Sequence, residues 1–82
     1  MKVKKHIAIS DSGVVYNGST GDSFSINPIG IDILNQIKDQ KSEQEIKQLL
    51  LEKYDVTEER IEGDLYDFIA HLRQLNLLEK DE

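Results

Sequence analysis

The spacing of hydrophobic and polar positions changes once along the chain, at Asn27-Pro28. Before this point, alternating or β-branched residues occur in short runs, and Gly13, Gly18 and Gly21 stand in the segments between them. Such runs predict strands joined by turns, because glycine adopts positive φ without steric cost. The predicted strands cover residues 4–9, 14–17 and 23–26.

After Asn27 the apolar residues recur at the spacing of an α-helix. Asn27 is a favourable N-cap, and Pro28 suits the first helical position because an N–H there would have no partner inside the helix. The first predicted helix therefore begins at Pro28 and ends near Lys38. We expect its buried stripe to consist of Ile29, Ile33, Leu34 and Ile37.

Two further helix starts follow. Ser42 and Glu45 have the spacing of a capping box, in which each side chain accepts a hydrogen bond from the backbone N–H of the other residue. Thr57 caps a third helix, which we expect to end at Asn76 in a left-handed conformation, with the next two leucines folding back onto it. The expected apolar positions are Ile46, Leu49, Leu50 and Tyr54 on the second helix and Ile61, Leu65, Phe68, Leu72 and Leu75 on the third.

Three short strands followed by three helices predict an α+β fold with a three-stranded antiparallel sheet. A chain of 82 residues holds one core, so a single domain over residues 1–82 is expected. The basic start is followed by an apolar run of only Ile7 to Ile9, and no stretch approaches the roughly 20 apolar residues of a membrane span. The absence of cysteine excludes disulfides, thiolate metal sites and a thiol nucleophile. We therefore expect a cytoplasmic location and no membrane partner.

The chain carries 16 acidic and 10 basic residues, for a formal net charge of −6. This excess repels phosphate backbones and anionic lipids, so neutral or basic partners are expected. Binding to DNA through the third helix is an alternative function, but it requires favourable phosphate contacts. The charges on that helix oppose it: they are Glu58, Glu59, Glu62, Asp64 and Asp67 against Arg60 and Arg73.

An ordered set of residues from Val14 to Leu78 resembles the PqqD-like family of precursor-peptide recognition elements. Its first part is residues 21–30, GDSFSINPIG, followed by Ile33-Leu34. The pattern continues through residues 42–50, Tyr54-Asp55-Val56, Asp64-Leu65, Phe68-Ile69, Leu72 and Leu77-Leu78. Members of the family usually have glycine at the position of Asn76, a mild difference because asparagine also tolerates positive φ.

The resemblance implies a small winged-helix-like domain that binds the leader segment of a ribosomally made precursor peptide. The leader would add as a strand beside the third strand, in a groove walled by the third helix. The implied function is a standalone, non-catalytic adaptor that delivers the leader to a modifying enzyme or leader peptidase, as in lasso-peptide synthesis. An alternative within the family is a PqqD-type peptide chaperone for a radical SAM enzyme in quinone cofactor synthesis.

The candidate peptide-binding residues lie on the third strand and on the third helix, where the charged ones share one flank and Ile69 lies on the opposite shoulder. They are Ser23, Phe24, Ser25, Ile26, Asn27, Arg60, Asp64, Asp67, Phe68, Ile69 and His71. Phe24 and Ile26 share one face of their strand, where core packing and a groove wall both remain open interpretations. The charged flank of the helix is equally typical of a solvated surface, and Ile69 suits either the core or the groove.

No catalytic, cofactor or metal site is expected. The sequence contains no nucleophile elbow, phosphate-binding loop or metal-ligand spacing. Asp64, Asp67 and His71 share a helix face, but a metal site would need a further ligand beside them. Gly63 lies inside the third helix at a cost of about 1 kcal/mol relative to alanine, which indicates either close packing at that position or a suboptimal residue.

Overall fold

The computed structural model describes residues 1–79 and contains one antiparallel sheet. Its strands are β1 (Ile7–Ile9), β2 (Val14–Asn17) and β3 (Ser23–Ser25), in the order β1-β2-β3. The register places Val15 opposite both Ile9 and Phe24. The predicted three-stranded sheet is therefore confirmed, and β2 is its central strand.

The first strand is shorter than predicted because residues 4–6 form a turn. The N–H of Ile7 donates to the carbonyl oxygen of Lys4 at 3.3 Å. The chain before this turn pairs with the end of the protein instead, since the N–H of Lys4 donates to Leu77 O at 3.0 Å and that of Glu79 donates to Lys2 O at 2.8 Å. These bonds hold the two ends of the described chain together.

Three helices follow the sheet: α1 (Pro28–Lys38), α2 (Glu43–Lys53) and α3 (Glu58–Gln74). The structure confirms all three predicted N-caps. Asn27 Oδ1 accepts a hydrogen bond from the N–H of the third helical residue at 2.8 Å. The capping box at the start of α2 has both of its hydrogen bonds, each of 3.1 Å, and the cap of α3 has a 3.3 Å hydrogen bond. The expected α+β fold, winged-helix-like with helices after the sheet, is confirmed.

The end of α3 has the predicted left-handed cap. Asn76 has φ 59°, and the N–H of Leu77 donates to Leu72 O at 3.1 Å. Leu77 and Leu78 are then buried against the core, at 0% and 5% exposure. A local pattern of one asparagine followed by two leucines thus ends the helix and contributes two core side chains.

The buried side chains form one cluster under the sheet and between the helices. Two predicted core positions are wrong, because Ile29 is 42% exposed and Leu49 is 38% exposed. Ile31, which was not in the predicted stripe, is buried instead. Phe68 and Leu75 are only partly buried. The cluster consists of Ile7, Val15, Ile31, Ile33, Leu34, Ile37, Ile46, Leu50, Ile61, Leu65, Ile69, Leu72, Leu77 and Leu78.

The exposure of Ile29 follows from the orientation of α1. Gly30 lies at the centre of the buried face of this helix, where it allows the backbone to approach Ile26 and Phe68 closely. Ile29 is turned about 100° from Gly30 on one side and Ile31 by the same angle on the other, so the buried face of α1 extends on the Ile31 side and leaves Ile29 exposed. Helical periodicity alone did not reveal this, because glycine does not count as an apolar side chain in the pattern.

A polar contact between α1 and the end of α2 makes stability depend on pH. Asp32 Oδ2 accepts hydrogen bonds from Lys53 Nζ at 2.6 Å and from Tyr54 Oη at 2.7 Å. These two bonds, that from Lys53 first, lower the pKa of Asp32 below its ordinary value of 3.8. A carboxyl group whose pKa is lowered by folding stabilises the protein at pH values above its ordinary pKa. This stabilisation is lost as the pH falls through the lowered pKa.

The substitution Asp32→Asn is expected to lower the thermal midpoint at neutral pH and to flatten its decline in acid. The wild type should lose more stability than the variant as pH falls below 3.8, because only the wild type has this carboxylate to protonate. Thermal unfolding followed by circular dichroism over a pH series measures the difference. A constant gap between the two proteins at all pH values would contradict the role given to this contact.

Candidate peptide-binding site

One side of β3 is bonded to β2, and every second residue takes part. The N–H of Asn17 donates to Asp22 O at 2.8 Å, and the N–H of Ile26 donates to Gly13 O at 2.8 Å. In an antiparallel pair, residues that bond the partner strand alternate with residues whose N–H and C=O point the other way. The backbone N–H and C=O groups of Asp22, Phe24 and Ile26 therefore face β2.

Ser23 and Ser25 direct their backbone N–H and C=O groups away from β2, towards the open edge of the sheet. Phe24 is the middle residue and lies opposite Val15. Ser23 and Ser25 have the opposite phase, so their N–H and C=O groups point to the outer edge. Within residues 1–79 no further strand lies beside β3. The sheet therefore presents a donor and an acceptor from each of these two serines to an incoming backbone.

The side chains of β3 alternate as predicted. Ser23 and Ser25 are exposed, whereas Phe24 and Ile26 are half-buried and pack against the core. The two interpretations of Phe24 and Ile26 are thus compatible, since both contact the core and both retain exposed apolar surface. Asn27, at the end of this segment, keeps its side chain engaged as the cap of α1.

Phe68 brings α3 next to the end of β3. A Cβ atom built on Gly30 would lie 2.8 Å from Cε1 of Phe68 and 2.9 Å from Oδ1 of Asn27, and it would also collide with Cγ2 of Ile26. The Phe68 ring, the first turn of α1 and the end of β3 therefore meet at this glycine. We call the surface formed by the edge of β3 and the Phe68 flank of α3 the β3 groove.

Charged residues lie on the same flank of α3. Asp64 and His71 are four residues before and three residues after Phe68, so they are its surface neighbours on the helix. Arg60 and Asp67 lie on the same side of the helix but further from Phe68 around its axis. All four side chains are exposed. The Arg60 Nε and Asp64 Oδ2 atoms are 3.7 Å apart in an exposed pair, a contact of little energetic weight. These residues form a mainly acidic rim.

Ile69 does not belong to this surface. It is 6% exposed and packs in the core, and it lies about 100° round the helix from Phe68. Its small exposed edge borders a different depression, together with Tyr66 and Arg73. Of the two interpretations that the sequence left open for Ile69, its burial supports core packing, and its place among the peptide-binding residues stays a prediction.

Two residues near the β3 groove were missed as site residues by the sequence argument. Gly30 is needed for the close approach of α1 to Phe68, and its signal was a glycine on the apolar face of the first helical turn. Leu75 was predicted as a core residue, yet it is half-buried seven residues after Phe68, and it therefore lies on the same flank.

Neither a cluster of metal-binding side chains nor a membrane-spanning helix occurs among the described residues. Among residues 1–79, no three His, Cys, Asp or Glu side chains are placed to hold a metal. The same residues contain no helix with the length and apolar character required to cross a bilayer. Asp64, Asp67 and His71 therefore remain surface side chains of the rim.

The fold and the groove define a class of protein: a small domain with a three-stranded sheet, three following helices and one open sheet edge beside the last helix. The chain belongs to the PqqD family. The family described as Coenzyme PQQ synthesis protein D (PqqD) matches residues 12–78. A comparison with curated proteins found no match.

Two solved structures share the fold over nearly the whole chain. One, described as TbiB1 in complex with the TbiA(beta) leader peptide, has 28% sequence identity and a TM-score of 0.88, covering 100% of this chain and 99% of that one. The other, described as lasso peptide synthetase B1 complexed with the leader peptide, has 22% identity and a TM-score of 0.81, covering 98% and 96%. At the latter identity the likeness concerns the fold alone.

Proposed function

We propose that this protein is a non-catalytic adaptor that binds the leader segment of a ribosomally made precursor peptide as a fourth strand on β3. It then delivers the leader to a modifying enzyme or leader peptidase of the lasso-peptide type. The observation that carries the proposal is the outward-facing backbone of Ser23 and Ser25 beside the Phe68 flank of α3.

Backbone pairing supplies the affinity in this mode of binding, and side-chain pockets supply the selectivity. Ser23 and Ser25 offer their donors and acceptors to the leader backbone. Alternate leader side chains then face the exposed apolar surface of Phe68, so apolar residues are favoured at those positions. The acidic rim favours a basic or hydrogen-bonding group nearby. The proposed contacts are Ser23, Phe24, Ser25, Ile26, Asn27, Arg60, Asp64, Asp67, Phe68 and His71.

The likeness to TbiB1 supports this proposal, since that protein is described in complex with a leader peptide and shares 28% identity with this chain over its full length. The family description, Coenzyme PQQ synthesis protein D, favours a second candidate: a peptide chaperone for a radical SAM enzyme in quinone cofactor synthesis. Both functions use the same groove. The two functions are distinguished by identifying which enzyme requires this protein in order to act on its peptide.

We place the adaptor in the cytoplasm, as a single recognition domain over residues 1–82 that acts without a cofactor. Its acidic α3 argues against nucleic acid as a partner, because most nonspecific affinity for DNA comes from cation–phosphate contacts. Salt-sensitive retention of duplex DNA in a gel shift, without peptide binding, would replace the adaptor function with DNA binding.

The direct test is titration of the leader peptide with amide hydrogen exchange as the readout. Binding should saturate, and the N–H groups of Ser23 and Ser25 should become protected by about tenfold or more, because each gains a backbone acceptor. Phe24 and Ile26 serve as internal controls, since their N–H groups already face β2. Saturable binding with no new protection at the two serines would place the leader elsewhere. No binding at all, with an enzyme that recognises the leader unaided, would refute the adaptor function.

A further inference from the structure

Tyr66 stands out on the opposite side of α3 from the β3 groove. It is 76% exposed, more than any other large apolar side chain of residues 1–79. It borders two shallow depressions, of about 270 and 280 Å³, that lie between α3 and the start of α2. Glu43 borders both of them, and the nearly buried Leu65 and Ile69 contribute one apolar wall each. We call this surface the Tyr66 face.

The Tyr66 face has an acidic border. Lys47 Nζ lies 3.0 Å from Glu58 Oε1 and 2.9 Å from Glu62 Oε1, so two carboxylates share one ammonium group. The lysine side chain is only 14% exposed, which leaves the carboxylates as the accessible charges of this cluster. Acidic residues outnumber basic ones on this side of the helix pair: Glu43, Glu58, Glu59 and Glu62 against Lys47 and Arg73.

An exposed aromatic ring beside concave apolar surface is the typical centre of a protein interface, and tyrosine is among the residues that contribute most to binding there. The acidic border selects a basic partner, because opposite charges favour encounter and like charges oppose it. An arginine or lysine of the partner can stack on the Tyr66 ring while its charge lies near the carboxylates of Glu43 and Glu62. The chemistry of the face thus specifies a partner surface with apolar and cationic side chains.

The two surfaces of α3 can be occupied at the same time. Tyr66 and Phe68 are two residues apart, so they point about 160–200° away from each other around the helix. A leader strand on β3 therefore leaves Tyr66 uncovered. An adaptor must contact both its peptide and the enzyme that receives the peptide, and the β3 groove accounts only for the peptide.

We propose that the Tyr66 face docks the enzyme that receives the leader, through a basic patch on that enzyme. This inference rests on the proposed adaptor function and adds to it a second binding surface with its own partner. The enzyme binds α3 and the start of α2 on one side of the protein, while the leader lies on β3 on the other side. The adaptor thereby holds the two partners together without either displacing the other.

The test measures two affinities for each of four proteins: the wild type and the variants Tyr66→Ala, Tyr66→Phe and Tyr16→Ala. The probes are the leader peptide and the purified enzyme that acts on the same precursor. Tyr16 provides a matched control, since it is a 47% exposed tyrosine on the outer face of the sheet. Tyr66→Ala should weaken enzyme binding by about tenfold or more, whereas Tyr66→Phe, which keeps the ring, and Tyr16→Ala should stay within about threefold of the wild type.

Leader affinity should be the same for the wild type and both Tyr66 variants, and enzyme affinity should fall as salt concentration rises. Three results would overturn the inference: enzyme binding unaffected by Tyr66→Ala, equal weakening of leader and enzyme binding, or a Tyr66-dependent dimer of this chain in sedimentation. Failure of the wild type to bind the leader would refute the adaptor function. Because the enzyme is titrated separately, that failure is distinguishable from loss of the docking surface.

Discussion

Replacing Ser25 with proline should weaken leader binding by about tenfold to a hundredfold while the fold stays intact. Proline removes the N–H that points to the open edge and leaves the matching leader carbonyl unpaired, which costs about 1–3 kcal/mol. The hydrogen bonds to β2 survive, because they come from the residues on either side of Ser25. Proline is also tolerated in an edge strand when its nitrogen faces away from the sheet.

The matched control is Ser25→Ala, which changes the side chain and keeps the backbone donor. Its leader affinity should remain within about twofold of the wild type, since the serine hydroxyl is not required for strand addition. Isothermal titration of the leader into each variant gives the affinities, and circular dichroism verifies that the fold is retained. A folded Ser25→Pro protein that binds the leader as tightly as the wild type would show that the edge of β3 is not the binding surface.

Alanine is expected to have opposite effects at the two helical glycines. Gly30→Ala should destabilise the protein by about 1–3 kcal/mol, because its Cβ would collide with Ile26 and lie too close to Phe68 and Asn27. Gly63→Ala should stabilise it by about 0.5–1 kcal/mol, because nothing lies within 4 Å of a Cβ at that position and alanine is the better helix former. For a domain of this size, each 1 kcal/mol corresponds to a shift of about 4–8 °C in the thermal midpoint.

Urea unfolding of the wild type and the two variants measures these free energies. Since both substitutions add the same methyl group to a helical glycine, the difference between them reports the tertiary environment. The double variant Gly30→Ala with Phe68→Leu should recover part of the lost stability if the aromatic ring is the obstacle. Equal stabilisation by both alanines would contradict the close approach of α1 to Phe68.

The elements of this fold were predictable wherever their signals are local. Asn27, Ser42 and Thr57 each cap the helix that was predicted to begin after them, because an N-cap hydrogen bond involves residues only three apart. The end of α3 at Asn76 was predictable for the same reason. The start of β1 was not, since residues 2–4 pair with the distant chain end at residues 77–79.

The candidate site was predictable in part. The alternation of β3 correctly separated the exposed serines from Phe24 and Ile26, because strand geometry has a period of two residues. On α3, helical spacing placed Phe68 beside the charged flank and left Ile69 undecided between the core and the groove. In the structure Ile69 is buried in the core, and the first turn of α1 meets the Phe68 ring.

The amino-acid sequence by itself determined where each helix begins, which residues alternate on the strands and the acidic character of the chain. Those properties depend on neighbours within a few positions or on composition alone. Only the tertiary structure decided that Gly30 faces Phe68, that Ile29 is exposed and that Tyr66 lies opposite the β3 groove. A helical pattern describes the width of an apolar face, whereas the element that covers each flank is set by packing between residues far apart in the chain.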